Sequence, residues 1–172
     1  MIKLTLIISF LCFLTAQDSA EKNILTIIGT TNVHGEIDPC GWKKKPLGGL
    51  ARKATVIENL KSQGLNPIIL DAGDLLFKKN IIDPGVTTDV AKVNAEIIID
   101  SFNEMGCDAF SLGSKDFAGG LDFVLEQYKK SNFPFLSCNI VNKSGELLFE
   151  PYTIVKSNNL NVGVIGLSSN FD

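Results

Sequence analysis

The sequence predicts an α/β fold, a layered sandwich built on a mixed, mostly parallel sheet. Three observations support this prediction. Short apolar runs rich in β-branched residues recur along the chain, longer segments with helical spacing separate them, and the last part of the chain has the pattern of a hairpin. Such alternation is typical of βαβ units, in which neighbouring strands are parallel.

Four apolar runs are predicted to be the strands of this sheet, at residues 24–28, 67–70, 109–112 and 133–136. The segments between them repeat apolar side chains at a spacing of three and four residues, which indicates amphipathic helices. The first two helices are predicted to end at Gly64 and Gly106, and the third before Asn132. Glycine commonly ends a helix because it adopts the left-handed conformation without strain.

The last predicted strands form a hairpin, residues 152–155 and 162–167 around a polar turn at Asn158 and Asn159. An antiparallel pair of this kind makes the predicted sheet mixed. The chain ends at Asp172, just after a strand, where a layered fold normally supplies a covering helix. We therefore expect an incomplete sandwich with an exposed apolar sheet face, which a partner chain would cover.

The N-terminal residues 1–20 are predicted to be a secretory signal peptide. Lys3 precedes an apolar run, and small side chains such as Ala16 and Ala20 follow it. The run is shorter than the roughly 20 residues that span a bilayer. We expect an exported protein, periplasmic or extracellular, without a stable membrane span, whose residues 21–172 form one partial domain.

The charge and the cysteines limit the classes of partner. The formal net charge is -3, and the chain lacks the clustered lysines and arginines of nucleic-acid-binding proteins apart from a short run at residues 43–45. Nucleic acid is therefore excluded as a partner. Of the cysteines that follow the signal peptide, Cys107 and Cys138 lie beside apolar segments and are predicted to be small buried core residues.

Polar residues follow each predicted parallel strand, where functional residues of open α/β sheets gather. Among them, His34 and Asp74 have the side chains that commonly bind Zn²⁺, Mn²⁺ or Fe²⁺, and Asn32 adds a carbonyl oxygen. Residue types alone leave a second interpretation open, in which the histidine is a hydrogen-bonding loop residue and the aspartate is a helix cap.

The order of several short motifs favours the first interpretation. Residues 24–35 combine a strand with Thr-Asn-Val-His-Gly, and residues 48–53 read Gly-Gly-Leu-Ala-Arg-Lys. Residues 70–74 read Leu-Asp-Ala-Gly-Asp, and residues 112–117 read Leu-Gly-Ser-Lys-Asp-Phe. In this order they resemble the 5′-nucleotidase branch of the calcineurin-like metallophosphoesterases. Residues 136–140 and 162–167 also have counterparts in that family, so the resemblance covers residues 24–167.

The resemblance implies a set of site residues with several replacements. The positions that the family uses for metal ligands are Asn32, His34, Asp74 and Ser114, and its catalytic positions are Lys115 and Asp116. Only His34 and Asp74 keep the family's residue. Lys115 stands in the position of the histidine that donates a proton, and it is interpreted either as a phosphate-facing cation or as a solvated or aspartate-paired lysine. The family's later histidine motifs are absent, because His34 is the single histidine.

The resemblance therefore implies the first half of a metallophosphoesterase-like domain. The expected cofactor is a divalent metal of the Mn, Zn, Mg or Co class, or none, and the expected ligand is a phosphate ester or a nucleotide. Hydrolysis by this chain is expected to be weak or absent, because ligands and the proton donor are replaced. The alternatives are a non-catalytic module that binds phosphate, nucleotide or protein, and a truncated fragment.

Overall fold

The structure is a computed structural model that describes residues 24–41, 46–82 and 84–169. The predicted signal peptide and the lysines at 43–45 lie outside the described residues.

The described residues form two sheets and the helices that connect their strands. The main sheet contains β1 (Ile27–Thr30), β2 (Ile68–Asp71), β3 (Ala109–Ser111) and β4 (Phe135–Leu136). The α-helices are α1 (Leu50–Ser62), α2 (Val86–Met105) and α3 (Leu121–Lys130), and a 3₁₀ helix (Ser114–Gly119) precedes α3. The hairpin consists of β5 (Tyr152–Ser157) and β6 (Leu160–Ile165).

The main sheet has the strand order β1-β2-β3-β4, and each neighbouring pair is parallel. The predicted α/β class is confirmed. Pairing starts where Ile27 lies beside Ile68, so β1 begins three residues later than predicted and runs on to Thr30. Periodicity cannot fix this boundary, because the register with β2 decides which residues of the apolar run pair.

The helices cover one face of the main sheet. α2 ends at Gly106, which has a φ of 76°, as its sequence predicts. Phe102 of α2 and Val124 of α3 are fully buried in the core between helices and sheet. Phe110 and Phe135 meet edge to face on this side, with ring centroids 4.8 Å apart.

The hairpin forms its own two-stranded sheet and does not extend the main sheet. Its open end is anchored at β4, where the Cys138 N–H donates to the Gly166 carbonyl. Near its turn, the Ser157 hydroxyl donates to the carbonyl of Asn66, just before β2, at 2.7 Å. The hairpin thus crosses the second face of the main sheet from β4 to β2.

The second face is covered unevenly. Ile68, Ala109 and Leu136 point to this side and are buried, whereas Ile27 on the edge strand β1 is 52% exposed. The expected exposed apolar surface therefore includes β1. Across residues 24–41, 46–82 and 84–169, no helix has both the length and the apolar character needed to cross a membrane.

The prediction for the cysteines is correct in one case. Cys107 is buried, and burial raises the pKa of its thiol to about 12. The prediction for Cys138 is wrong, because this residue follows the end of the edge strand β4 and is exposed.

Gln127 on α3 is an unfavourable residue in the core. Its side chain is fully buried, and neither amide atom has a hydrogen-bond partner among the described residues. We expect Gln127→Met to raise the free energy of unfolding by about 1 to 2 kcal/mol, because methionine fills a similar volume without unsatisfied polar atoms. Urea denaturation measures this change. Gln63→Met at an exposed position is the control, and an equal effect there would refute the explanation.

Candidate functional site

The predicted site residues meet at the carboxyl edge of the main sheet. The loops after β1 and β2 continue the pairing of their strands, since the N–H groups of Asn32, His34 and Gly35 donate to the carbonyls of residues 73–75 at 2.9 Å each. This ladder brings His34 beside Asp74. Ser114 lines a cavity of about 240 Å³ together with Asn32 and Asp74.

Three residues of this edge have an unfavourable backbone conformation. Asn32, His34 and Asp74 have φ values of 56°, 58° and 55°, in the left-handed region that non-glycine residues rarely adopt. Strain of this kind persists where surrounding contacts enforce it and is concentrated at functional sites. These backbone positions therefore mark this edge as the candidate functional site.

Lys115 lies between His34 and Asp74, two of the predicted metal ligands. Its ammonium nitrogen is 2.8 Å from Oδ2 of Asp74 and 2.8 Å from Nε2 of His34. The backbone N–H of Lys115 also donates to Oδ1 of Asp74 at 3.1 Å. Of the interpretations of Lys115 left open by the sequence, the structure shows the aspartate-paired lysine.

The contact with Lys115 involves the Nε2 atom of His34. An ammonium group can only donate, so Nε2 of His34 is the acceptor in this contact. The carbonyl oxygen of Asn32 lies 3.1 Å from the same Nε2. When Nε2 accepts from Lys115 it carries no hydrogen, so it donates no hydrogen bond to the asparagine oxygen.

The charge of Asp74 is stabilised within this cluster. Partial burial raises the pKa of its carboxyl group, but the side-chain and backbone hydrogen bonds from Lys115 and the lysine charge outweigh burial, and the pKa is lowered. A carboxylate and an ammonium in direct contact neutralise each other. The pair of Asp74 and Lys115 therefore presents no net charge to an anion.

Asp116 connects the loop after β2 with the loop after β3. It is fully buried, and its carboxylate accepts hydrogen bonds from the N–H groups of Asp74, Leu76 and Gly113 at 2.8 to 2.9 Å. Burial raises the pKa of Asp116 to about 7, and the bonds from Leu76 and Gly113 act against that rise. Of the two predicted catalytic residues, this one is closed off from solvent and positions Asp74.

A second network was not predicted from the sequence. Lys53 of α1 donates to the hydroxyl of Thr30 at 2.9 Å, and that hydroxyl donates to Asp71 at 2.6 Å. Burial lowers the pKa of Lys53, whose ammonium also lies 3.7 Å from the ring centroid of Phe102. The burial of Lys53 could have been predicted from its spacing, because it lies three residues after Leu50 on the apolar stripe of α1.

The metal that the family resemblance implies does not fit these residues. A dication bound by His34 and Asp74 would have to displace the ammonium of Lys115, which contacts both. At about 4 Å and an effective dielectric constant near 20, a dication and an ammonium repel by about 8 kcal/mol. Within the described part of the chain, no group of three His, Cys, Asp or Glu side chains could hold a metal ion.

The effect of Lys115 on Asp74 can be measured by NMR titration. We expect the pKa of Asp74 to be higher in Lys115→Met than in the wild type, because the variant removes the side-chain hydrogen bond and the positive charge. In the wild type, the pKa of Asp74 is lower in the folded state than in the unfolded state, where it is about 3.9. Ionised Asp74 therefore stabilises the fold above this pH, and its contribution is lost as the pH falls through the folded-state pKa. Lys130→Met on α3 is the control, and an unchanged Asp74 pKa in Lys115→Met would contradict the pairing.

Solved structures resemble this chain over most of its length. The 5′-nucleotidase precursor of Thermus thermophilus matches with a TM-score of 0.69 and 25% identity, over 84% of this chain and 28% of that protein. The calcineurin-like phosphoesterase YfkN of Bacillus subtilis matches with a TM-score of 0.64 and 28% identity, over 84% of this chain and 48% of that chain.

Sequence comparison gives the same group of relatives. The 5′-nucleotidase of Vibrio cholerae is 33% identical over 161 residues, which are 89% of this chain and 27% of that protein. Protein UshA of Escherichia coli is 31% identical over 160 residues, 89% of this chain and 26% of that protein. The chain therefore spans about a quarter of the length of these curated relatives. No protein-family model matches it.

Proposed function

We propose that this chain is part of a 5′-nucleotidase-type metallophosphoesterase domain. Within that family it is a non-catalytic member, in which Lys115 takes the place of a metal ion. The observation that carries this proposal is the position of the lysine ammonium, 2.8 Å from both His34 and Asp74. A tethered cation of this kind satisfies the two side chains without any metal.

The chemistry of phosphoester hydrolysis explains why this arrangement should be inactive. Metal-dependent hydrolases use bound ions to generate a hydroxide and to stabilise the charge of the transition state, and this chain holds an ammonium where an ion would bind. General acid catalysis adds about 10²- to 10⁴-fold, and the predicted donor position holds a lysine that donates to Asp74 and His34. Both contributions are therefore expected to be weakened.

The same cluster argues against tight binding of phosphate. A phosphate dianion needs net positive charge or free donors, but the ammonium of Lys115 is paired with Asp74 and two of its three N–H groups are used. Among the alternatives left open by the sequence, the geometry therefore favours a module that binds protein over one that binds phosphate or nucleotide.

A second candidate function is weak hydrolysis of a phosphate ester or nucleotide with a divalent metal. The observation that favours it is the backbone strain at Asn32, His34 and Asp74, since strain of this kind is concentrated at functional sites. For this function, Lys115 would have to leave the cluster when metal and substrate bind.

Hydrolysis assays distinguish the two candidates. AMP and a chromogenic phosphate ester are incubated with the chain and Mn²⁺, Zn²⁺ or Co²⁺, next to His34→Ala and Asp74→Ala variants. We expect the wild type to release no more phosphate than either variant. The Vibrio cholerae relative serves as the positive control. Metal-dependent turnover that both substitutions abolish would overturn the proposal.

The proposal includes export, by cleavage of a signal peptide after Ala16 or Ala20. Its support is the order of a charged start, an apolar run and small residues at the N-terminus. The intact mass of protein purified from a secreting host tests it. Retention of residues 1–16 would refute this part of the proposal.

A further inference from the structure

A cavity that the proposed function leaves without a role lies beside β1. It is lined by β1, the loop that follows β1 and the first turn of α1, and its volume is about 860 Å³. Val33 and Leu50 contribute carbon-rich side chains to its wall, and a Cβ atom at Gly48 would meet no atom within 4 Å. Cavities that bind small organic molecules have volumes of roughly 300 to 1,000 Å³. This one is therefore large enough for a small organic ligand.

Lys53, in the first turn of α1, lines this cavity with a partly buried side chain. Its amine nitrogen lies 2.9 Å from the Thr30 hydroxyl oxygen and 3.7 Å from the ring centroid of Phe102. None of the carboxylates in the described residues forms an ion pair with it. The nitrogen is thus held in place by a hydroxyl group and an aromatic ring, and no direct counterion fixes its positive charge.

The surroundings of Lys53 favour the neutral, nucleophilic form of the amine. Burial lowers the pKa of Lys53, and the charge of Asp71 acts against this change. Desolvated lysines of this kind are the ones that form Schiff bases with carbonyl compounds. The Thr30 hydroxyl accepts from Lys53 and donates to Asp71 at 2.6 Å. A proton that leaves the ammonium can pass along this chain to Asp71, since burial raises the pKa of that carboxyl group.

We propose that Lys53 is a carbonyl-reactive amine and that the cavity beside β1 takes a small apolar aldehyde, which condenses with it to an imine. First, the Lys53 nitrogen forms a bond to the carbonyl carbon, the π electrons of the carbonyl move to its oxygen, and one proton passes from nitrogen to oxygen. Then the C–O bond breaks, the oxygen leaves as water with a second proton from the nitrogen, and a C=N bond forms. Thr30 and Asp71 carry the protons. The condensation needs no oxidant or reductant.

Reductive labelling of the full chain with benzaldehyde tests this inference. Sodium cyanoborohydride reduces an imine to a stable secondary amine, and peptide mass mapping then measures the labelling of each lysine. At neutral pH we expect Lys53 to be labelled at least about tenfold faster than the exposed Lys129, because more of it is neutral amine. The rate at Lys53 should saturate with benzaldehyde concentration, because the aldehyde first binds in the cavity. The rate at Lys129 should rise in proportion to the concentration.

The pH dependence of labelling gives a second readout. The charged and titratable groups around Lys53 and its cavity are Asp71, Cys107, Glu36, Asp38 and Lys78. Because burial of Lys53 outweighs the charge of Asp71, its labelling rate should reach half of the maximum at a lower pH than the rate at Lys129.

Matched arginine variants complete the test. Lys53→Arg keeps the positive charge but forms no imine, because a guanidinium stays protonated, so the fast labelling should be lost. Lys129→Arg should retain it, and circular dichroism checks that both variants are folded. If Lys53→Arg does not fold, the comparison of Lys53 with Lys129 within the wild type still decides. Labelling of Lys53 that is no faster than that of Lys129, or that does not saturate, would overturn the inference. The assay contains no metal and no phosphate ester, so its result is independent of the proposed lack of hydrolysis.

Discussion

Asp116→Ala is expected to lower the free energy of unfolding by about 3 to 5 kcal/mol, because three backbone N–H groups lose the carboxylate that accepts their hydrogen bonds. The carboxylate accepts hydrogen bonds from Asp74, Leu76 and Gly113, and the residue is fully buried. Chemical denaturation followed by circular dichroism measures the loss. The carboxyl edge of the sheet should also lose protection against hydrogen exchange.

The control for Asp116→Ala is Asp100→Ala. Asp100 is an exposed aspartate on α2, and its removal should change stability by less than about 0.5 kcal/mol. Similar losses at the two positions would show that the buried carboxylate does not organise the loops.

Gly166→Ala is expected to destabilise the protein by about 2 to 3 kcal/mol through overpacking. A Cβ atom at this position would lie 2.4 Å from the backbone carbonyl carbon of Leu136. The hairpin would have to move away from β4, where the Gly166 carbonyl accepts from Cys138. Thermal and urea denaturation both measure the effect.

Gly163→Ala provides a matched control within the same hairpin. A Cβ atom at Gly163 meets no atom within 4 Å, so this substitution should leave stability nearly unchanged. Equal destabilisation by the two alanines would indicate that glycine itself, and not the close approach of β4, stabilises the hairpin.

Much of the fold was predictable from local patterns. Apolar periodicity placed the helices and strands in the right order, and Gly64 and Gly106 have the positive φ values expected at helix ends. The boundaries of β1 were not predictable, because they depend on the pairing of Ile27 with Ile68 in a strand that is distant in the sequence. Hydrophobic patterns likewise could not show that the hairpin crosses the second face of the sheet instead of extending it.

The sequence predicted which of these side chains lie close together, but not the geometry of their contacts. The motifs brought together His34, Asp74 and Lys115, since the carboxyl ends of parallel strands lie at one edge. Sequence alone left the role of the lysine open, because a long flexible side chain can reach solvent or an anion equally well. The buried role of Asp116 depends on the directions of three N–H groups in two loops, which no motif records.

The most direct test of the central claim is a measurement of Mn²⁺ binding by equilibrium dialysis. Because the Lys115 ammonium contacts both His34 and Asp74, the wild type is expected to bind no Mn²⁺ at this edge. The matched variants are His34→Ala and Asp74→Ala, which should give the same result as the wild type. Stoichiometric Mn²⁺ binding by the wild type that both variants abolish would contradict the claim that Lys115 takes the place of the metal.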